Sequence, residues 1–228
     1  RIGINSRRHG GDRDPAGGRA VYMWEVPAQT VVRRHAQGDP QAMTVMFAGL
    51  RIEYDESLLV PREWTRAQSL WAWELLGDLP AGAVLELCSG AGHIGLLATA
   101  GTGRRLVCVD TNPRAADYAR LNAQEAGVTI ETRVGRSRDV IGAAERFPMI
   151  IADPPWVTSQ STPLFPADPR HAIDGGADGL AVVRECVAAI TAHLDGVALL
   201  QLAPGDEQAD AVCSMLAGSQ VEAGERRH

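Results

Sequence analysis

Two short stretches of this sequence combine residue types and spacing that could do chemistry: the run Asp153-Pro154-Pro155-Trp156 and a glycine-rich turn well upstream of it. Met149, Ile150, Ile151 and Ala152 read as a buried strand that ends at Asp153. Pro154 and Pro155 forbid its continuation, because proline has no N–H for a sheet ladder. The result is a stiff corner carrying two acceptors, the Asp153 carboxylate and the Pro154 carbonyl. Together they can take both hydrogens of one NH2 group and turn its lone pair toward an electrophile, with orientation settled in advance. Trp156 adds a flat face on which a planar amide or base can stack.

The upstream stretch, LELCSGAGHIG, sets Gly90, Gly92 and Gly95 in the spacing GxGxxG between a strand and a helix, where a nucleotide cofactor is cradled. Asp110 ends the next strand, about 20 residues on, where an acid for ribose hydroxyls belongs. A nicotinamide-binding module would read almost the same. Two features point elsewhere. Glu86 precedes the glycines; it would repel a pyrophosphate but suits a ligand with an amino group. Cys88 stands where a dinucleotide fold usually has a further glycine. His93 either lines this pocket or packs at the helix start.

Strand, acid, glycine turn and second acid together resemble the S-adenosylmethionine site of class I methyltransferases. The resemblance implies Glu86, Cys88, Ser89, Gly90, Gly92 and His93 around the methionine moiety, and Asp110 with Thr111 at the ribose. The corner resembles the [N/D]PP[Y/F/W] signature of methyltransferases that act on nitrogens attached to planar carbon, which implies Asp153, Pro154, Pro155 and Trp156 as the catalytic set. The flanks FAGLRIEYDESLLVPREWT and PADPRHAIDGGADGLAVVRECV resemble the HemK/PrmC group, the glutamine-N5 methyltransferases of peptide release factors. That implies a release-factor-like glutamine as acceptor. An exocyclic amine of RNA or DNA and a small metabolite stay open as alternatives. Three departures bear on the acceptor. The group's corner is usually NPPY. It often carries an acid after the third strand for the adenine amino group, whereas VGRSRD puts Arg136 there, which cannot accept; Ser137 or a backbone carbonyl must substitute. The group's helical N-terminal domain has no counterpart in residues 1–44.

The elements that must position these residues alternate. AVLELC (83–88), RLVCVD (105–110), VTIETRV, FPMIIAD and GVALLQL read as strands, separated by helical stretches such as PRAADYARLNAQEAG, with Pro113 in its first turn and Gly127 closing it. The expected fold is α/β: a Rossmann-like doubly wound, mostly parallel sheet, preceded by a hairpin around Ala48-Gly49. Thr65 is the expected N-cap of the helix holding Trp71 and Trp73, both expected in the core. Residues 1–44 are expected to be irregular, with AVYMWEVPAQTVVRRHA open to strand or helix, and 45–228 to form the catalytic domain. The sequence stops just after a possible strand, QVEAGE, which leaves a final strand of the fold as a possible omission.

Composition bounds the rest. The chain has 228 residues and a net charge of -6, which disfavours unaided binding along a nucleic-acid backbone. All 22 basic residues are arginine, so Schiff-base lysine chemistry is excluded. Cys88, Cys108, Cys186 and Cys213 share no CxxC spacing and read as reduced thiols, which suits the cytoplasm. No run approaches the roughly 20 apolar residues of a membrane helix, and no metal spacing is evident. Asp174, Asp178 and Glu185 fall at calcium-loop positions, but Gly176 replaces a ligand.

Overall fold

The computed structural model describes residues 19–25 and 42–227. Alternation sets the first strand, β1 (Arg19–Glu25): Val21 and Met23 are buried on one side, and Tyr22 stacks on Trp71 on the other, ring centroids 5.2 Å apart. The expectation of an irregular 1–44 is therefore corrected at 19–25, and at its other end the hairpin already begins at Met43. The remaining residues up to 41 lie outside the described residues. The hairpin pairs β2 (Met43–Phe47) with β3 (Leu50–Tyr54); its turn residues Ala48 and Gly49 have φ of 49° and 91°, the left-handed pair that a two-residue hairpin turn demands.

Then come α1 (Arg66–Leu76), β4 (Val84–Leu87), α2 (His93–Thr99), β5 (Leu106–Asp110), α3 (Pro113–Ala126), β6 (Ile130–Val134), the short α4 (Ser137–Val140) and β7 (Phe147–Ala152). The short α5 (Arg170–Ile173), α6 (Ala181–His193), β8 (Leu194–Leu202), α7 (Asp206–Leu216) and β9 (Val221–Arg227) complete the order. Seven strands form one sheet in the order β6-β5-β4-β7-β8-β1-β9, and every neighbouring pair is parallel. A parallel sheet has helices on both faces, so its strands are apolar throughout; β4 and β7 are buried at every residue. One face packs on residues of α1, α2 and α3 such as Trp71, Leu96 and Ala119, the other on residues of α6 and α7 such as Val187, Ile190 and Val212.

Local signals behave unevenly. Asn112 caps α3 through its side chain, Pro113 opens it, and Gly127 at φ 66° closes it, as expected. Thr65 does not cap α1: its hydroxyl donates back to the Arg62 carbonyl at 2.7 Å. Trp71 is buried, but Trp73 is 39% exposed, because the two residues are too close in sequence to share one face of a helix. β4 is bordered by β5, reached through α2, and by β7, reached after β6. The strand order reverses there, and in such sheets the ligand crevice opens beyond the C-terminal ends of those strands.

Candidate active site

A cavity of about 280 Å³ lies at this reversal. Its wall joins the ends of three strands: Leu87, Cys88, Ser89 and Gly90 after β4, Val109, Asp110 and Thr111 at β5, and Asp153 and Pro155 after β7. His93 and Ser137 also line it. Four residues expected at the site, Glu86, Gly92, Pro154 and Trp156, are not on this wall.

Of these four, Glu86 is deeply buried. It sits beneath the glycine turn, fully enclosed, where its Oε1 accepts from the Gly95 N–H at 3.0 Å and its Oε2 from the Cys108 thiol at 3.5 Å. Burial pushes its pKa up to about 8. The carboxyl thus supports the turn from below, off the cavity wall. It also explains the third glycine: a Cβ at Gly95 would lie 2.4 Å from Glu86 Oε2 and 2.7 Å from Leu106 Cδ1. Gly92, at φ 79°, packs on Ala119. Pro154 is buried behind the corner, and the Trp156 carbonyl accepts from Gln208 Nε2 at 3.2 Å.

The turn itself is strained. Gly90 has φ 49°, and a Cβ there would meet nothing within 4 Å, so the backbone borders open space. Cys88 holds a left-handed φ of 55° without being glycine, which costs roughly 1–2 kcal/mol. Its sulfur lies 3.9 Å from that of Cys186 on α6; this neighbouring thiol and burial push the Cys88 thiol well up. His93 packs edge-on against Phe47 and has Nε2 3.3 Å from the Thr65 hydroxyl; burial lowers its pKa to about 3, so the ring is uncharged.

Asp110 is oriented by two backbone donors, Gly90 N at 2.8 Å to Oδ2 and Asn112 N at 2.9 Å to Oδ1. Burial raises its pKa, and these bonds and the nearby His171 oppose the rise. Each oxygen retains a further lone pair for a ligand hydroxyl. Asp153 differs: none of the described residues hydrogen-bonds to its carboxyl, and burial alone pushes its pKa up to about 7.

Tertiary structure adds residues that the motifs do not name. Arg62 reaches the wall from the segment after β3 and pairs with Asp168 at 2.5 Å. In the sequence Arg62, beside Pro61 in LLVPREWT, is open to two readings, a place at the mouth of the site or a solvated charge, and the structure puts it on the wall. His171 and Ala172 come from α5. Glu185 of α6 lies on the wall and pairs with Arg136 at 2.8 Å, which brings a carboxylate to the position where the local sequence offers only a cation.

The family model for the methyltransferase small domain matches residues 70–167, which includes the glycine turn, Asp110 and the corner. The release factor glutamine methyltransferase of Deinococcus radiodurans is 31% identical over 202 residues, 85% of this chain and 72% of that protein. The chain belongs to the glutamine methyltransferase family. The family includes a release factor glutamine methyltransferase from Mycolicibacterium smegmatis, 33% identical over 64% of this chain and 53% of its own length. A ribosomal protein uL3 glutamine methyltransferase from Bradyrhizobium diazoefficiens is 31% identical over 73% of this chain and 57% of its own length. The chain thus spans little more than half of these two glutamine methyltransferases. A methyltransferase structure from Pyrococcus furiosus superposes with a TM-score of 0.54 at 18% identity, over 73% of this chain and 76% of that one, which is agreement in fold. Membership in this family removes the nicotinamide-binding alternative. Among the described residues no helix is long and apolar enough to cross a membrane.

Proposed function

We propose that this protein is an S-adenosylmethionine-dependent N-methyltransferase whose acceptor is a glutamine side chain of a protein of the translation apparatus, a release factor or a similar substrate. Such a substrate makes the cytoplasm its site of action. The observation that carries the reading is the single wall shared by Asp110, the open backbone at Gly90 and the unpartnered, desolvated Asp153. S-adenosylmethionine, when bound, supplies an electrophilic methyl group. Gly90 and Ser89 would border its methionine part, Asp110 with Thr111 would hold the ribose, and Glu185 would accept from the adenine amino group beside Ser137.

Asp153 then acts on the acceptor. An ionised carboxylate accepts hydrogen bonds only, so it takes an amide N–H. Positive charge that develops on nitrogen meets an acceptor already fixed in place, which lowers the barrier without reorganisation. A carboxyl whose pKa is about 7 can also receive the proton that the nitrogen must lose, since a general base works best when its pKa lies near the working pH. Family membership of relatives named for release factor and uL3 glutamine favours protein over nucleic acid as acceptor. The catalytic domain is proposed to comprise Met43 to Arg227, with β1 completing its sheet.

Tritiated methyl from S-adenosylmethionine, followed into release factor, uL3, RNA and small-molecule fractions, tests this. Label in protein glutamine supports the reading. Label only in RNA or metabolites transfers the same chemistry to another acceptor and overturns the glutamine assignment.

A further inference from the structure

The chain between the corner and α6 is a closed loop. Its base is tied where Val157 N donates to the Ile173 carbonyl at 3.0 Å and Gly175 N donates to the Val157 carbonyl at 2.7 Å. The outgoing limb leaves directly from Trp156, so the loop and the acceptor corner are one continuous piece of chain. The returning limb is α5. The loop is pinned at two further points to the segment after the hairpin: Asp168 to Arg62 at 2.5 Å, and His171 Nε2 to the Ser57 carbonyl at 2.9 Å.

The second pin is unusual for what it joins. The Ser57 carbonyl also accepts from Asn112 Nδ2 at 3.0 Å, and Asn112 N holds Asp110 Oδ1. Ser57 is itself held by Asp55, whose Oδ1 accepts from its N–H and hydroxyl at 2.9 and 2.6 Å. One carbonyl therefore links the end of β5, the hairpin segment and the acceptor-side loop. A carbonyl can only accept, so His171 Nε2 carries a hydrogen, and Nδ1 remains as the second polar atom of the ring. His171 lines the cavity together with Ser57, Asp110 and Asn112.

We propose that His171 is a further cofactor-contacting residue, and that through it S-adenosylmethionine holds this loop closed, so the acceptor site is complete only once the cofactor has bound. This rests on the cofactor reading above. The Arg62–Asp168 pair closes the loop independently of cofactor. His171 closes it conditionally, because of the two pins it is the one tied through the Ser57 carbonyl and Asn112 to the ribose acid. Cofactor would thus load first and acceptor second.

Backbone amide exchange of residues 158–174 in the full chain, with and without saturating S-adenosylhomocysteine, tests the coupling, with calorimetry on the same samples. In the wild type the ligand should slow exchange about tenfold. His171→Ala should weaken ligand binding by roughly the same factor, as linkage requires, and at saturation should lose the slowing. Asp168→Ala should speed exchange in the free and bound protein yet keep the ligand-dependent slowing, which separates coupling from simple tethering. Unchanged loop exchange in a wild type that binds the ligand overturns the proposal, as does full slowing in His171→Ala. A wild type that binds no ligand overturns the cofactor reading and this inference with it, and calorimetry identifies that case. Should His171→Ala not fold, the imidazole nitrogen resonances of wild-type His171 must move when ligand is added; their standing still also overturns it.

Discussion

Glu86 and Asp153 lie on neighbouring strands, Glu86 opposite Ile151 in the β4–β7 register and Asp153 just past the end of β7. Burial raises both carboxyls, to about 8 and about 7. Their surroundings nevertheless differ. Glu86 points into the turn of its own strand–helix unit, and both of its oxygens are engaged by Gly95 and Cys108. Asp153 lies past the last ladder residue, followed by two residues without N–H groups, and retains its acceptor capacity. A desolvated acid is thus not by itself a sign of catalysis. What separates the two is whether protein groups have already satisfied the oxygens.

This contrast can be broken most severely at Asp153. Asp153→Ala should lower methyl transfer by about a thousandfold, the scale of losing one preorganised group, while S-adenosylhomocysteine affinity stays within a few fold. Transfer at wild-type rate would remove Asp153 from the mechanism. Asp153→Asn retains an acceptor oxygen without a titratable one. It should keep part of the activity and abolish a step in the pH profile, in which the wild-type rate rises through about pH 7 as Asp153 ionises. Asp110→Ala should weaken cofactor binding by roughly 10- to 100-fold in calorimetry, the value of hydrogen bonds to a charged group.

Glu86 should show its effects in stability. Gly95→Ala should cost about 1–3 kcal/mol in denaturant unfolding, because its Cβ has no room against Glu86 and Leu106. The pH effect has a definite sign. In the folded protein Glu86 keeps its proton to about 8, whereas the unfolded chain releases it near 4.5. The unfolded state therefore binds fewer protons between those values, and stability contributed by this group is lost as pH rises across that window. Glu86→Gln should flatten that slope in thermal unfolding; an unchanged slope would place the proton elsewhere. The smallest effect belongs to Trp156. Since it stands off the cavity wall, Trp156→Phe should leave cofactor affinity unchanged, and a large loss would show that the corner rearranges on binding.

Much of the site could be read from residue order. A carboxylate before two prolines must end a strand, since neither proline can donate to the ladder, and an acid at the next strand end after a glycine turn must lie near it. Backbone chemistry of that kind acts between near neighbours, so the chain order alone determined the doubly wound alternation, the hairpin turn at Ala48-Gly49, the Pro113 and Gly127 ends of α3, and the positions of Gly90, Asp110 and Asp153.

Tertiary structure decided what depends on direction and distance. Whether Glu86 faced the ligand or the helix was a matter of which side of a strand its Cα placed it on and how closely α2 approached. Thr65 found the Arg62 carbonyl in preference to the helix end. Arg19–Glu25 alternates too briefly to be told from a helix by itself, and it is a strand because β8 and β9 accept it between them. Glu185, Arg62 and His171 reached the cavity from α6, from the segment after the hairpin and from α5, across long sequence separations that no periodicity encodes. The physical reason is common to all of them: backbone preferences are local and legible in order, whereas the choice of partner for a side chain is made by packing, and packing exists only once the sheet has brought distant strands side by side.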